Sequence, residues 1–542
     1  MKIINRSKKR LTLSLVLFYA LASSYMIIGG VNATNDPFFC TFFGGSQNDA
    51  IRDVKLDSQG SIIVVGGTFS ENFPTLNAEQ SKYGGGELPP PGEYTNAMGD
   101  CFIAKFSSGY QLKWSTYLGG KDYEIAMSVL VDSDDNIIVL GTSTSPDFPT
   151  TDGSTYSGKE GGDYFIAKFG SDGKIISSTF YGGDEISAIY SIGKMSQDEL
   201  IIAGTTISPN FYCSKDAVQK QLRGTKDGFI RILSEDLKTV SYSTYFGGGS
   251  DDSITKLSVS QDGSIIFSGS TNSLDFPVTE NCIQSKFGGG DRDAYVAMLN
   301  PMKQLKMSTY LGGSDLDDIF GVSQTPEHIF LVGRTWSSDF PVTSNAYQLK
   351  YSETEVDGFF SQISVLGGEL VYSTFYGLKG WDSLLQVNID NSGKTIITGF
   401  VDSSGFETIK PFQAEYMGNT ELIVIIVSEE IELISYLGGY DMEHPFAQTL
   451  NNGMMYLVGR TSSTQFPVTD DAYQSSHAGG EDGFIWVFDY DTYLSGEAPD
   501  TQGSDVLNPL LRLYLSYFVV FGGIAFWFLY VRRSFTPTNK SG

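Results

Sequence analysis

STYLGG, Ser115 to Gly120, returns letter for letter at Ser308 to Gly313. Near copies stand at Ser178 to Gly183 (STFYGG), Ser243 to Gly248 (STYFGG) and Ser373 to Leu378 (STFYGL), with shorter ones at Thr41 to Gly45 (TFFGG) and Ser435 to Gly439 (SYLGG). The first glycines of these copies are Gly44, Gly119, Gly182, Gly247, Gly312, Gly377 and Gly438, so the steps are 75, 63, 65, 65, 65 and 61. A sustained period of this size is the mark of a repeat architecture. The long first step contains ELPPPGEYTNAMGD (Glu87 to Asp100), whose prolines read as an irregular loop insertion.

Each unit carries the same order of signals. After the Gly pair come an acidic patch and an alternating strand, such as IAMSVLVD (Ile125 to Asp132). A tight polar turn leads to a nearly all-apolar strand, such as NIIVLGTS (Asn136 to Ser143). A longer Phe-Pro loop precedes a third strand opened by an acid, as in DYFIAKF (Asp163 to Phe169), and a Gly turn leads to KIISSTFYGG (Lys174 to Gly183). Four strands in about 65 residues predict an antiparallel meander, and radial repetition of meanders predicts an all-β, seven-bladed propeller. The Gly pair is expected to permit the sharp turn from each outer strand to the next blade.

The array is incomplete at both ends. It enters on FFCTFF (Phe38 to Phe43), a fourth strand without the first three, and leaves on DGFIWVFDY (Asp482 to Tyr490), a third strand without a fourth. Pairing Phe38 to Phe43 with Gly483 to Asp489 would close the ring and remove two strand edges. Phe38, Cys40 and Phe42 on one side, and Phe484 and Trp486 on the other, are the predicted closure residues.

These phrases resemble the SBBP repeat, a seven-bladed β-propeller repeat of prokaryotic surface and secreted proteins. The resemblance rests on STYLGG, on FIAKF at Phe102 to Phe106 and Phe165 to Phe169, and on the loop phrases DFPT (Asp147 to Thr150) and DFPVT (Asp275 to Thr279, Asp339 to Thr343). It covers about 37 to 491 and implies an extracellular propeller, without implying an activity. Two units depart from the pattern: the third has NFYC (Asn210 to Cys213), and the sixth has GFET (Gly405 to Thr408) with Leu378 in place of the second Gly.

The chain's ends predict its compartment. Basic residues from Lys2 to Arg10, an apolar run and Val31-Asn32-Ala33 read as a signal peptide over 1–33. The propeller follows over 34–491, then a linker over 492–510 and a membrane helix over 511–531, uncharged from Leu513 to Val531. Arg532 and Arg533 open a short tail, 532–542, expected in the cytoplasm. The reading is a single-pass cell-membrane protein with an extracellular N-terminal ectodomain, its long-loop face, the end of the propeller that carries the Gly-Gly links and the Phe-Pro connections, directed away from the cell.

The formal net charge is −27, from 63 acids against 36 bases, which argues against a nucleic-acid partner. Gly is 61 of 542 residues, above average usage, in keeping with many strands joined by turns. Cys40, Cys101, Cys213 and Cys282 are too few for a disulfide framework, and both bridges and free thiols fit them. An acid precedes the third strand in every unit: Asp100, Asp163, Asp227, Asp293, Asp357, Glu421 and Asp482. One copy per blade points to structural carboxylates that accept backbone N–H bonds at the loop-to-strand turn. Asp132, Asp134 and Asn136 resemble the opening of a calcium loop, but the later Gly and Glu are missing. No HExxH, GxSxG, paired CxxC or P-loop is present, His328, His444 and His477 lack metal spacing, and no cofactor is implied. The expectation is therefore a non-enzymatic surface module for adhesion or envelope interaction, binding a glycan or a protein through the long-loop face. The alternative is a polysaccharide hydrolase or lyase using carboxylates in the channel, with Asp49, Asp122, Asp252, Asp317 and Asp441 near the starts of the inner strands.

Overall fold

Strands such as Ile62–Thr68 are buried along their whole length, because each lies between hydrogen-bonded partners and between neighbouring sheets. The computed structural model describes residues 39–496, apart from 86–98, 155–162, 182–185, 187, 196–198, 235–238 and 353–354. Numbered in chain order, the strands β1 to β28 form seven four-stranded antiparallel sheets. The first complete blade is β2 (Asp49–Leu56), β3 (Ile62–Thr68), β4 (Asp100–Phe106) and β5 (Leu112–Leu118), paired in that order. The inner strands of the other six blades are β6 (Glu124–Val131), β10 (Ala188–Lys194), β14 (Asp252–Val259), β18 (Asp317–Gln324), β22 (Ser383–Ile389) and β26 (Glu443–Asn451). Each contacts the next, and β26 contacts β2, so the ring is closed around an axis.

Closure joins the two ends of the array. Strand β1 (Phe39–Phe43) pairs antiparallel with β28 (Asp482–Asp489), with Phe39 opposite Val487, Cys40 opposite Trp486, Phe42 opposite Phe484 and Phe43 opposite Gly483. The last blade is thus β1, β28, β27 (Met454–Thr461) and β26. Phe38 lies outside the described residues, as do most of the insertion after Glu87 and the segments at 1–33 and 511–531 expected to be a signal peptide and a membrane helix. Among the described residues no helix is long and apolar enough to cross a membrane. A short helix, α1 (Tyr490–Ser495), follows β28; its Tyr490 is buried and donates to Asp390 at 3.0 Å.

The core is a set of layers between blades. One layer packs Phe39, Phe43, Ile485 and Val487 of the closing blade against Ile51, Val64 and Phe102 of the first. Contiguous burial of this kind makes each blade's stability depend on its neighbours.

Candidate functional site

The links between blades are built around paired carboxylates. At six of the seven links the acid that opens a third strand meets the acid that opens the next blade's inner strand, with the first Gly of the link beside them; the link at Gly182 has Ser187 in place of the second acid. A side chain at Gly44 would put Cβ 2.7 Å from Asp482 Oδ1 and 2.9 Å from Asp49 Oδ2. At Gly119 it would lie 2.6 Å from Asp100 Cγ and 2.6 Å from Glu124 Oε2. The described Gly-Gly links do not use positive φ. Space, rather than the sharp turn expected from the sequence, is what demands glycine there.

Both acids of each pair bind backbone. Asp49 Oδ2 accepts from Gly45 N at 2.6 Å and Ser70 Oγ at 2.9 Å, and Asp252 and Asp317 repeat this with Gly248 and Ser273 and with Gly313 and Ser337. Asp100 accepts from Gly84 N at 2.8 Å, Asp227 from Arg223 N at 2.9 Å, Asp293 from Gly288 N at 2.7 Å, Asp357 from Ser352 N at 2.9 Å and Asp482 from Ala478 N at 2.7 Å. Glu421 accepts from Met417 N and Gly418 N, and Asp163 is buried at the same strand position. Burial pushes Asp49, Asp100, Asp252 and Asp317 up to about 7, and a neighbouring carboxylate pushes the same way. At the sixth link Leu378 occupies the second Gly position and Ser403 Oγ has no partner, so Asp382 lacks the serine bond; burial lifts it to about 8.

A glutamine completes six of the seven links, the loop before Asp163 having none. Gln284 Oε1 accepts from Gly312 N at 3.1 Å, while Nε2 donates to Asp293 at 3.1 Å and to Lys286 O at 2.9 Å. Gln80, Gln219, Gln348, Gln413 and Gln474 repeat the arrangement with Asp100, Asp227, Asp357, Glu421 and Asp482. This residue was readable as a recurring Gln a few positions after the Phe-Pro phrase.

The Phe-Pro loops are not displayed over the face. They fold back along the outer strand of their own blade, as where Leu76 and Ser115 exchange backbone hydrogen bonds at 3.1 and 2.8 Å. Their phenylalanines, Phe73, Phe148, Phe276, Phe340 and Phe466, are buried, as is Phe211 of the NFYC unit, so they offer no sugar platform. The loops instead cover outer edges that would otherwise be open to strand addition.

Asp132 Oδ1 accepts from Asp134 N at 2.9 Å and Asn136 N at 2.8 Å, and its Oδ2 receives Asn136 Nδ2 and the ammonium of Lys168, each at 2.9 Å. A lysine therefore occupies the place a cation would take. Lys105 does the same for Asp57 at 2.8 Å, which assigns the lysine of FIAKF to the tight turn of its own blade. Among the described residues no group of three metal-ligating side chains is assembled. Cys40, Cys101, Cys213 and Cys282 are all free thiols, the first two buried.

Of the five inner-strand carboxylates predicted for the channel, Asp49, Asp252 and Asp317 are buried in the links, and Asp122 and Asp441 are exposed on them. The axis carries other residues. Every inner strand has a β-bulge at the same place, leaving Arg52, Met127, Tyr190, Thr255, Phe320, Leu385 and Phe446 unpaired. Bulges re-aim side chains. The copies thus share most link positions, whereas the seven bulges carry six different residue types.

Around the axis four of these side chains, Arg52, Met127, Tyr190 and Phe446, together with Lys256 line a cationic and aromatic mouth. A cavity of about 510 Å³ is lined by Arg52, Met127, Tyr190, Lys256 and Phe446 from five inner strands, with Tyr123 and Thr144 placing its opening on the long-loop face. The Arg52 guanidinium lies 4.0 Å from the Phe446 ring centroid, and its Nε has no hydrogen-bond partner. Burial, then the nearby Arg460, lowers Arg52 to about 10, so it stays charged at neutral pH; burial also lowers Lys256. Arg460 is paired with Glu481 at 2.9 Å, and burial holds His444 down to about 3, hence neutral. Beside the mouth, Arg334 lies 4.9 Å from the Phe320 ring and 4.7 Å from Trp336, and Trp336 meets Trp381, which is 45% exposed.

No protein-family model and no curated protein matches the chain, so the SBBP resemblance remains a likeness of phrases. Solved structures similar in backbone include the Pan2 WD40 domain of Neurospora crassa, 9% identical, covering 83% of this chain and 96% of that one with a TM-score of 0.41. The polysaccharide lyase Uly1 is 10% identical over 83% of this chain and 97% of its own, with a TM-score of 0.40. A virginiamycin B lyase from Staphylococcus aureus is 9% identical over 82% and 98%, with a TM-score of 0.37. The fold itself rests on strand order and ring closure: the chain is a seven-bladed β-propeller of four-stranded antiparallel blades.

Proposed function

We propose that the chain is a cell-surface binding module, held to the membrane by the apolar segment at 511–531 and displaying its long-loop face outward. The observation that carries this reading is the asymmetry at the axis: link positions repeat in six of the seven units, whereas the bulges carry six different residue types, and four of the bulge residues, Arg52, Met127, Tyr190 and Phe446, line one mouth. A rigid scaffold that presents varied residues at one mouth suits recognition. Exposed Trp381 and Leu274, 45% and 80% accessible, lie on the same face outside the mouth.

The test uses the full chain and two sets of variants in binding to a glycan panel and to envelope fractions. Trp381→Ala with Leu274→Glu alters the long-loop face; Met302→Glu with Leu366→Glu alters turns on the opposite face, where these residues are 71% and 87% exposed. Binding reduced about tenfold or more by the first pair and untouched by the second is expected, on the scale of one lost contact cluster. The reverse pattern, or no ligand in either panel, overturns the reading. Protease and biotin accessibility on intact cells tests the display, which requires labelling of the long-loop face.

A further inference from the structure

The axial cavity is unusual for this molecule. The chain carries a formal charge of −27, yet the charged side chains that enter the cavity as open groups, Arg52 and Lys256, are both cations. Neither is in an ion pair among the described residues. The nearby acids are already engaged. Glu124, on the cavity wall, accepts from Gly120 N at 3.0 Å and Ser143 Oγ at 2.6 Å; Asp53 accepts from Val129 N at 2.9 Å, Ser128 Oγ at 2.7 Å and Lys55 at 2.9 Å; Glu481 is held by Arg460. Two half-buried cations outside any ion pair, whose neighbouring acids Glu481 and Asp53 are committed to other partners, make a favourable site for an oxyanion in a walled cavity, because low-dielectric walls strengthen the attraction.

The rest of the lining narrows the ligand. Tyr190 is 44% exposed and Tyr123 is partly so, offering ring faces at the opening. Thr142 and Thr144 supply hydroxyls, and Ile125 and Met127 supply apolar wall. About 510 Å³ is the volume of a small-molecule site and accommodates one or two sugar-sized rings. We infer that the channel mouth binds an acidic saccharide, with its acidic groups drawn to Arg52 and Lys256 and a ring against Tyr190 and Tyr123. This rests on the reading of the long-loop face as the binding face and specifies its ligand class.

The experiment titrates the full chain by calorimetry with a hexuronate tetrasaccharide, a sulfated galactan tetrasaccharide, a neutral tetrasaccharide and inorganic sulfate. At least one charged saccharide should bind about tenfold or more tightly than the neutral one, with the affinity falling as salt rises. Which of the two binds tells carboxylate from sulfate. Arg52→Gln and Lys256→Gln should each weaken the charged saccharide about tenfold without altering any neutral binding. Tyr190→Ala, at an exposed position, should weaken it severalfold and keeps the test open if a cation variant fails to fold. Equal affinity for charged and neutral sugars, saturation by inorganic sulfate at the same affinity, or indifference to all three variants overturns the inference. If Trp381→Ala with Leu274→Glu abolishes binding while Arg52→Gln does not, the channel site fails and the face reading stands. The opposite pattern leaves the channel site standing and confines recognition to the axis.

Discussion

At the scale of single residues, the first Gly of each link is where the repeat is least negotiable. Gly119 has Asp100 and Glu124 on either side, both nearly dry and held by backbone hydrogen bonds from Gly84 and Gly120 that a methyl group would disturb. Gly119→Ala should lower stability by about 2–3 kcal/mol, the cost of overpacking a filled site. Urea unfolding should show a lower midpoint at unchanged slope. Gly109→Ala, in a turn where the nearest atom to an added Cβ is 3.9 Å away, should change little. An equal effect at both positions would show that backbone freedom rather than space sets the requirement. The copies of STYLGG make the Gly positions visible, but the reason for them is not: the two carboxylates are separated in sequence and meet only in the folded link.

At the scale of elements, β1 is the strand on which the ring depends. Phe43 stacks edge-on with Phe73, Phe102 and Phe106 at 4.9, 5.9 and 5.2 Å, joining the closing blade to the first. Phe43→Ala should cost about 3–5 kcal/mol, as for other buried Phe truncations. Removing the chain through Phe43 bares the edge of β28, and self-association measured by light scattering is the expected outcome. A truncated chain that stays monomeric with the full-length unfolding midpoint would contradict this role. The pairing was legible beforehand because an orphan fourth strand and an orphan third strand stand at opposite ends of the array. The path of the Phe-Pro loops was not, because their hydrogen bonds to the outer strands follow no periodicity in the loop itself.

At the scale of the molecule, the linked carboxylates set the dependence of stability on pH. Burial raises Asp49, Asp100, Asp252, Asp317, Glu421 and Glu443 to about 7 and Asp293 and Asp482 to about 6. Unfolded carboxyls titrate near 4, so between about pH 4 and 7 the folded state binds more protons than the unfolded one. Stability is therefore expected to fall as pH rises from 5 to 8. Asp57, Asp132 and Asp390 act the other way, being held below the usual range by bonds from Lys105, Lys168 and Ser392 against the pull of burial. Their contribution is lost only below about pH 4, outside this window; buried His444, held down to about 3, opposes the trend up to about pH 6.5 but is one group against eight raised carboxyls. Thermal unfolding at pH 5, 6, 7 and 8 checks the sign, and a midpoint that climbs across the series would contradict it.

By itself, the sequence determined the seven units, their four-strand order, the closure by β1 and β28 and the recurrence of an acid before each third strand, because each is written locally and repeated often enough to be compared within one chain. Only the tertiary structure decided the site. A β-bulge shifts one residue out of a period-two pattern without leaving a mark in that pattern. Arg52, Tyr190, Lys256 and Phe446 belong to inner strands of four different blades, and what brings them to one mouth is the closing of the ring around its axis.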